Sequence, residues 1–130
     1  MNENHGRVLD ASALLAALHG EPGGDQVENQ LENAVISAIN WSEVLQKCLS
    51  REVDIRGLRE DLEALGLRIE PFTVEDAELA ARFWMLTREQ GLSLGDRACL
   101  ALALRLGLPA FTADRSWADL KVDVAIKVIR

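Results

Sequence analysis

The stretch LSLGDRACLALALRLGLPAFTADRSW, residues 92–117, contains the pattern that decides the fold. Ser93 is followed three residues later by Asp96, a spacing that resembles the capping pair at the start of a helix. Apolar residues then recur at helical spacing until a glycine and a proline interrupt the pattern. The stretch therefore predicts a helix over 98–106, a strand over 110–112 and, just after that strand, the acid Asp114.

Apolar segments of helix length and of strand length also alternate through the rest of the chain. Such alternation favours an α/β sandwich with a mostly parallel sheet of four or five strands between layers of helices. Further strands are predicted at 7–9, 34–37 and 67–70, with one or two more within 122–129. Helices are predicted at 11–18, from Gly23–Gly24 onward, after Asn40 as the capping residue, at 54–65, and from the capping pair Thr73 and Asp76 to about residue 90.

The composition describes an acidic protein of single-domain length. The chain has 130 residues, with 14 Lys and Arg against 21 Asp and Glu, so its formal net charge is −7. We expect one domain spanning residues 1–130, since this length suffices for a core without disulfides or a structural metal. The charge argues against a protein that coats nucleic acid, which should be basic. It remains compatible with a nuclease, because the carboxylates of a metal site add negative charge that bound cations neutralise.

Cysteine usage and the start of the chain point to a reducing compartment. Cys48 and Cys99 lie in apolar helical patterns, far apart in sequence, and are predicted to be buried free thiols. The first residues, MNENHG, are polar and do not resemble a signal peptide. No apolar run approaches the roughly 18 residues that a membrane span needs. The expected location is the cytoplasm.

Four carboxylates are predicted to meet at one edge of the sheet. Asp10 and Asp114 follow predicted strands, and Glu43 and Asp96 lie in the first turns of predicted helices. Ligands bind at the carboxyl ends of parallel strands, and hard oxygen ligands suit Mg²⁺ or Mn²⁺. Each acid also has a local explanation, as a helix cap, a first-turn acid that favours the helix dipole, or the start of a turn. Their shared topological position favours the metal site.

These residues resemble the motifs of the PIN-domain family. VLDASALLA, residues 8–16, resembles the family's opening strand and aspartate, and INWSEVLQK, residues 39–47, resembles its second motif. The stretch quoted first resembles its third and fourth motifs together. The order and spacing match from Val8 to about Val128. The small size resembles VapC-type bacterial toxins more than larger PIN proteins.

The resemblance implies a PIN-like three-layer sandwich and a Mg²⁺- or Mn²⁺-dependent endoribonuclease. Asp10, Asp96 and Asp114 would be metal ligands, directly or through water, and Glu43 would hold a water of the ion or a second ion. Ser12 and Thr112 would donate hydrogen bonds to the carboxylates or bind the waters. These roles come from the resemblance, whereas the residue pattern alone favours an acidic metal site and does not identify a nuclease.

The resemblance also implies partners: an RNA substrate, a cognate antitoxin protein and a second copy of the chain in a homodimer. A charge of −7 would favour a basic segment in the antitoxin. Arg97 and Arg115 flank two of the acids, and they pair with acids, contact RNA phosphate or are simply solvated. The apolar residues of the first two predicted helices form either part of a groove for the partner or core; these are Leu14, Leu15, Leu18, Val27 and Leu31.

Two alternatives remain open from the sequence. A phosphoacceptor receiver domain shares the strand and helix alternation and has an acidic pocket. It needs paired acids near the first strand and a lysine after the last, whereas Asp10 has no acidic neighbour and Lys121 and Lys127 are not convincingly placed. The second alternative is a PIN fold that no longer cleaves and serves as a scaffold or co-repressor subunit; the presence of all four acids argues against it.

Overall fold

The predicted strands form one five-stranded sheet in the computed structural model, which describes residues 6–130. The strand order is β3-β2-β1-β4-β5, and each neighbouring pair is parallel. The α/β class and the parallel sheet are therefore confirmed. The strands are β1 (Arg7–Leu9), β2 (Ala34–Ser37), β3 (Arg68–Glu70), β4 (Ala110–Thr112) and β5 (Ile126–Val128). The polar start of the chain, except Gly6, lies outside the described residues.

Six α-helices connect the strands within residues 6–130. Both capping pairs that the sequence predicts are present: the hydroxyls of Thr73 and Ser93 accept from the N–H groups of Asp76 and Asp96, and these carboxylates accept from the N–H groups of the two capping residues. The helices are α1 (Ala11–His19), α2 (Gly24–Glu28), α3 (Ala38–Ser50), α4 (Leu58–Ala64), α5 (Val74–Thr87) and α6 (Leu94–Leu106), with short 3-10 turns at Arg88–Gln90 and Arg115–Asp119.

The start of α3 differs from the expected one. Ser37, not Asn40, caps the helix, since its hydroxyl accepts from the N–H of Ile39 at 3.2 Å. The strand β2 therefore runs directly into α3, and Asn40 lies within the helix with only 1% of its surface exposed. Glu43 consequently belongs to the second turn of α3 and not to the first.

Other boundaries also differ from the expected ones. The helix predicted at 54–65 begins only at Leu58, because the Asp54 carboxylate accepts from the N–H of Arg56 at 3.0 Å and organises a turn there. The helix α2 ends at Glu28, so Val27 and Leu31 do not share a helix. Of the segment 122–129, only Ile126–Val128 pairs with the sheet.

The sheet separates two hydrophobic layers. Successive strand side chains point to opposite faces, so Leu9 packs on one side and Val8 on the other. The first layer is covered by α1 to α4 and the second by α5 and α6. Leu14, Leu15, Val27 and Leu31 are at most 7% exposed, so they belong to the core and do not form an open groove, and Leu18 packs beside them. Cys48 and Cys99 are buried free thiols, as predicted.

One buried ion pair joins α5 to α6. The guanidinium of Arg105 donates to both carboxylate oxygens of Asp76, at 2.6 and 3.1 Å. Asp76 is 1% exposed and also accepts from the N–H of Thr73. Burial alone would raise the pKa of Asp76, but the hydrogen bonds from Arg105 and from Thr73 outweigh it, so the pKa is lowered.

None of the helices within residues 6–130 is long and apolar enough to cross a membrane.

Candidate active site

The four predicted acids line one pocket at the carboxyl ends of β1 and β4. The pocket has a volume of about 310 Å³ and opens between α1, α3 and α6. The sheet order explains the convergence, because β1 and β4 are neighbours and their carboxyl ends point the same way. The pocket is lined by Asp10, Glu43, Asp96 and Asp114, together with Ala11, Ser12, Leu15, Gln46 and Lys47.

Asp10 is the most buried of the four acids, with 4% of its surface exposed. It follows β1 and caps α1, accepting from the N–H of Ala13 at 2.8 Å. Its carboxylate also accepts from the hydroxyls of Ser12 at 2.7 Å and Thr112 at 2.6 Å. Burial nevertheless outweighs these hydrogen bonds, and with a smaller contribution from the Asp96 charge it raises the pKa of Asp10 to about 6.

Ser12 and Thr112 connect Asp10 to the loop that carries Asp114. The Ser12 hydroxyl accepts from the N–H of Ala113 at 2.9 Å, and the Thr112 hydroxyl accepts from the N–H of Asp114 at 3.0 Å. Each hydroxyl therefore accepts from the β4 end and donates to the Asp10 carboxylate. The hydrogen bonds expected of these two residues are present in this geometry.

Glu43 reaches the pocket from α3 and lies against the first turn of α6. The Asn40 amide donates to Glu43 Oε1 at 2.9 Å and to the carbonyl oxygen of Gly95 at 2.9 Å. A Cβ atom at Gly95 would overlap the Glu43 carboxylate, so the glycine leaves room for it. Sequence reasoning missed Asn40 at this site, although its position three residues before Glu43 places both side chains on one helix face.

Asp96 and Asp114 combine a structural and a pocket-lining position. Asp96 accepts from the N–H of Ser93 at 3.0 Å, and Asp114 accepts from the N–H and hydroxyl of Ser116 at 2.9 and 2.7 Å. The local explanations from the sequence therefore hold for both carboxylates. These hydrogen bonds do not prevent either carboxylate from binding a cation, because a carboxylate has more lone pairs than a cap or a turn uses.

The two arginines considered for RNA contact do not line this pocket. Arg97 donates to the carbonyl oxygen of Ala80 at 2.9 Å, which attaches α6 to α5. Arg115 is exposed on the 3-10 turn after Asp114. Lys47, one turn after Glu43 on α3, is the cation among the pocket-lining residues. Its ammonium has no ion pair within residues 6–130.

The charges of three pocket acids act together on the buried thiol of Cys99. Burial, followed by the charges of Asp10, Asp96 and Glu43, raises the pKa of this thiol well above its usual range. No three His, Cys, Asp or Glu side chains of residues 6–130 are close enough to form a ready-made metal site. Like charges favour such separation, whereas a divalent cation would draw the oxygens together. The donor set, all carboxylate oxygen, fits Mg²⁺ or Mn²⁺.

The fold matches known structures over most of its length. A chain of a toxin–antitoxin complex from Klebsiella pneumoniae is 23% identical, with a TM-score of 0.70 over 88% of this chain and 92% of that one. VapC20 of Mycobacterium tuberculosis, a Sarcin-Ricin loop cleaving toxin, is 20% identical, with a TM-score of 0.68 over 92% and 98% of the two chains. VapBC2 from Rickettsia felis, bound to a DNA fragment from its promoter, is 16% identical, with a TM-score of 0.71 over 95% and 98%. At these identities the likeness is one of fold.

No curated protein gives a significant match to the chain. The sequence model of the PIN domain, however, matches residues 7–123. This range includes the four pocket acids and both hydroxyl residues that donate to Asp10. On the strength of a match over nearly the whole chain, together with the five-stranded parallel sheet, the chain belongs to the PIN domain family.

Proposed function

We propose that the chain is a Mg²⁺- or Mn²⁺-dependent endoribonuclease, formed by a single PIN domain over residues 1–130, and the toxin of a toxin–antitoxin pair. The observation that carries the proposal is the convergence of Asp10, Glu43, Asp96 and Asp114 on one pocket. A set of carboxylates without a histidine or thiol in the lining suits a hard cation and phosphodiester chemistry. The family match argues against the receiver-like alternative.

In this proposal each residue that lines or supports the pocket has a separate role. Asp10, Asp96 and Asp114 would hold the ion directly or through water, and Glu43 would hold a water of the ion or a second ion. Ser12 and Thr112 hold the Asp10 carboxylate in one orientation through their hydroxyls. When bound, a divalent cation lowers the pKa of water and stabilises the charge of an in-line phosphoryl displacement. Lys47 lies at the pocket edge, where it can contact a backbone phosphate.

The proposed partners follow from the fold and the charge. The similar structures include a toxin–antitoxin complex, and a net charge of −7 suits a partner with a basic segment. We include an antitoxin, a second copy of the chain and a cytoplasmic location in the proposal. Single-stranded or looped RNA is the expected substrate, since unstacked RNA exposes its backbone and bases to a small pocket.

The test is cleavage of a pooled structured RNA by the purified chain with Mg²⁺ or Mn²⁺ and with EDTA. Asp10→Ala and Asp96→Asn are assayed beside the unmodified protein. Asn at position 96 can still accept from the N–H of Ser93, so this variant should fold. Cleavage that requires the metal and is lost in both variants supports the proposal. Cleavage that persists in the variants indicates a contaminant, and no cleavage by folded, metal-binding protein favours the non-catalytic scaffold.

We predict that millimolar Mg²⁺ or Mn²⁺ raises the melting temperature of the protein. The ion binds only the folded pocket, so it stabilises by about 2.7 kcal/mol when its concentration is a hundred times its Kd. The measurement is a thermal melt with and without Mg²⁺ or Mn²⁺ in Ca²⁺-free buffer. The Asp10→Ala protein, measured in the same way, is the control. An equal rise in the Asp10→Ala protein would mean that the ion binds elsewhere.

We predict that Lys47→Ala raises KM for RNA and leaves kcat nearly unchanged. The variant removes a phosphate contact made in ground and transition states alike, which lowers uniform binding. The dependence of log KM on log salt should become shallower by about 0.7, the value for one phosphate contact to a single strand. Lys121→Ala, an exposed lysine that does not line the pocket, is the matched control for the change of charge. Equal effects of the two variants would exclude a local role for Lys47.

A further inference from the structure

The Asn40 side chain is a buried amide that joins two helices at the acidic pocket. It is 1% exposed, and its nitrogen donates 2.9 Å hydrogen bonds to Glu43 Oε1 on its own helix and to the Gly95 carbonyl oxygen on α6. Within residues 6–130, the Asn40 amide is the group that donates a hydrogen bond to the Glu43 carboxylate. The orientation of Glu43 therefore depends on Asn40.

The Asn40 amide is a costly choice if only stability mattered, and Gly95 leaves space for the carboxylate that the amide contacts. The Asn40 Oδ1 atom is buried and has no donor among residues 6–130, a condition that destabilises a fold. Gly95 lies in the first turn of α6, where a Cβ atom would overlap the Glu43 carboxylate in its present orientation. Positions on two different helices thus accommodate the same carboxylate, Asn40 by donating to it and Gly95 by leaving it space.

The charges in the pocket explain why a neutral donor is suitable. Glu43 has a long flexible side chain and shares the pocket with three aspartates, so repulsion would turn it toward solvent when no cation is bound. A lysine or arginine at position 40 would hold the carboxylate but would also neutralise it and compete with a cation. An amide donates a hydrogen bond without adding charge.

We propose that Asn40 is a positioning residue that holds the Glu43 carboxylate in the pocket before the cation and the RNA bind. The proposal rests on the proposed metal-dependent nuclease function. It assigns to Asn40 an effect that is transmitted entirely through Glu43, with Gly95 providing the space. Asn40 itself touches neither the RNA nor the ion.

The test is a double-mutant cycle on Mn²⁺ affinity, measured by calorimetry, with Asn40→Ala, Glu43→Gln and the combined variant. We expect Asn40→Ala to weaken Mn²⁺ binding 10- to 100-fold, about the effect of losing a partner that orients a metal ligand. In the Glu43→Gln background the same substitution should change Mn²⁺ affinity less than twofold, because the carboxylate through which it acts is absent. An equal loss in both backgrounds, or an unchanged affinity in Asn40→Ala, would overturn the proposal.

Thr87→Ala is the matched control for loss of a buried polar group. Thr87 is 1% exposed and donates to the carbonyl oxygen of Phe83 on α5, away from the pocket. This variant should lower the melting temperature without changing Mn²⁺ affinity. If it weakens Mn²⁺ binding as much as Asn40→Ala does, general destabilisation accounts for the effect and the positioning role is excluded.

A second measurement examines the contact without metal or RNA and without changing Asn40. The exchange rates of the two side-chain amide protons of Asn40 are compared by NMR in the metal-free unmodified protein and in Glu43→Ala. We expect one proton to exchange at least tenfold faster in Glu43→Ala, while the proton bonded to the Gly95 carbonyl stays protected. Equal rates in both proteins would contradict the contact. This result stands even if the unmodified chain neither binds Mn²⁺ nor cleaves RNA, an outcome that would refute only the proposed function.

Discussion

Asp10→Asn is expected to reduce metal-dependent RNA cleavage by a factor on the order of 100 or more while leaving the fold intact. The substitution removes the charge of the most buried acid in the pocket, and loss of even an indirect metal partner costs about 10- to 100-fold. Asparagine can still cap α1 by accepting from the N–H of Ala13. Activity should therefore fall while the protein remains folded.

The stability of the metal-free protein should depend on pH through Asp10. Its pKa is raised from 3.8 to about 6 in the folded protein, so the folded state binds the proton more tightly than the unfolded state does. This residue contributes stability below pH 3.8 that is lost as the pH rises through about 6, and the loss is about 3 kcal/mol at about 1.4 kcal/mol per pKa unit. Asp10→Asn cannot titrate and should lack this loss.

The measurement is chemical unfolding of both proteins in EDTA between about pH 4 and pH 7. Relative to the unmodified protein, the free energy of unfolding of Asp10→Asn should increase by roughly 2 kcal/mol over this range, because part of the loss has already occurred at pH 4. A saturating divalent cation should remove much of that difference, because it binds the ionised carboxylate in the folded state. Parallel pH profiles in EDTA would show that Asp10 is not desolvated as the structure indicates.

Arg105→Met is expected to lower the free energy of unfolding by about 3 kcal/mol at neutral pH. Methionine keeps most of the alkyl packing of the arginine but leaves the buried Asp76 carboxylate without its guanidinium partner. The remaining donor from the backbone, the N–H of Thr73, does not replace a charge. The melting temperature should fall by roughly 10 °C for a chain of this size.

The loss of stability in Arg105→Met should also depend on pH. Its direction is opposite to that of the Asp10 contribution, because this loss is largest at neutral pH and smaller in acid. The pKa of Asp76 is lowered in the folded protein, so its contribution is present above pH 3.8 and disappears as the pH falls through the lowered value. The difference between the two proteins should therefore shrink in acid. Asp76→Asn is the comparison variant, and it should cost less, because Arg105 is 22% exposed and can reach water. A larger loss for Asp76→Asn would contradict this account.

Local sequence patterns predicted the strands, both capping pairs and the acids that line the pocket. These features depend on the period of apolar residues and on short-range hydrogen bonds, which neighbouring residues determine. Boundaries were less accurate where two residues competed for one role. Ser37 caps α3 in place of Asn40 because β2 runs directly into the helix without a loop. The local sequence did not show where the strand ends, so either residue could have been the cap.

The tertiary structure decided which residues surround the acids and how far burial shifts the pKa of Asp10. The hydrogen bond from Thr112 to Asp10 and the one from the N–H of Ala113 to Ser12 join segments about 100 residues apart, and they require β1 to lie beside β4. The raised pKa of Asp10 follows from burial by the whole fold, which no local pattern reports. The same holds for Asn40, whose amide reaches Gly95 across 55 residues of sequence. The sequence by itself determined the helices, the strands and the carboxylates at their ends. Only the packing between distant elements determined how these carboxylates are buried, hydrogen-bonded and oriented.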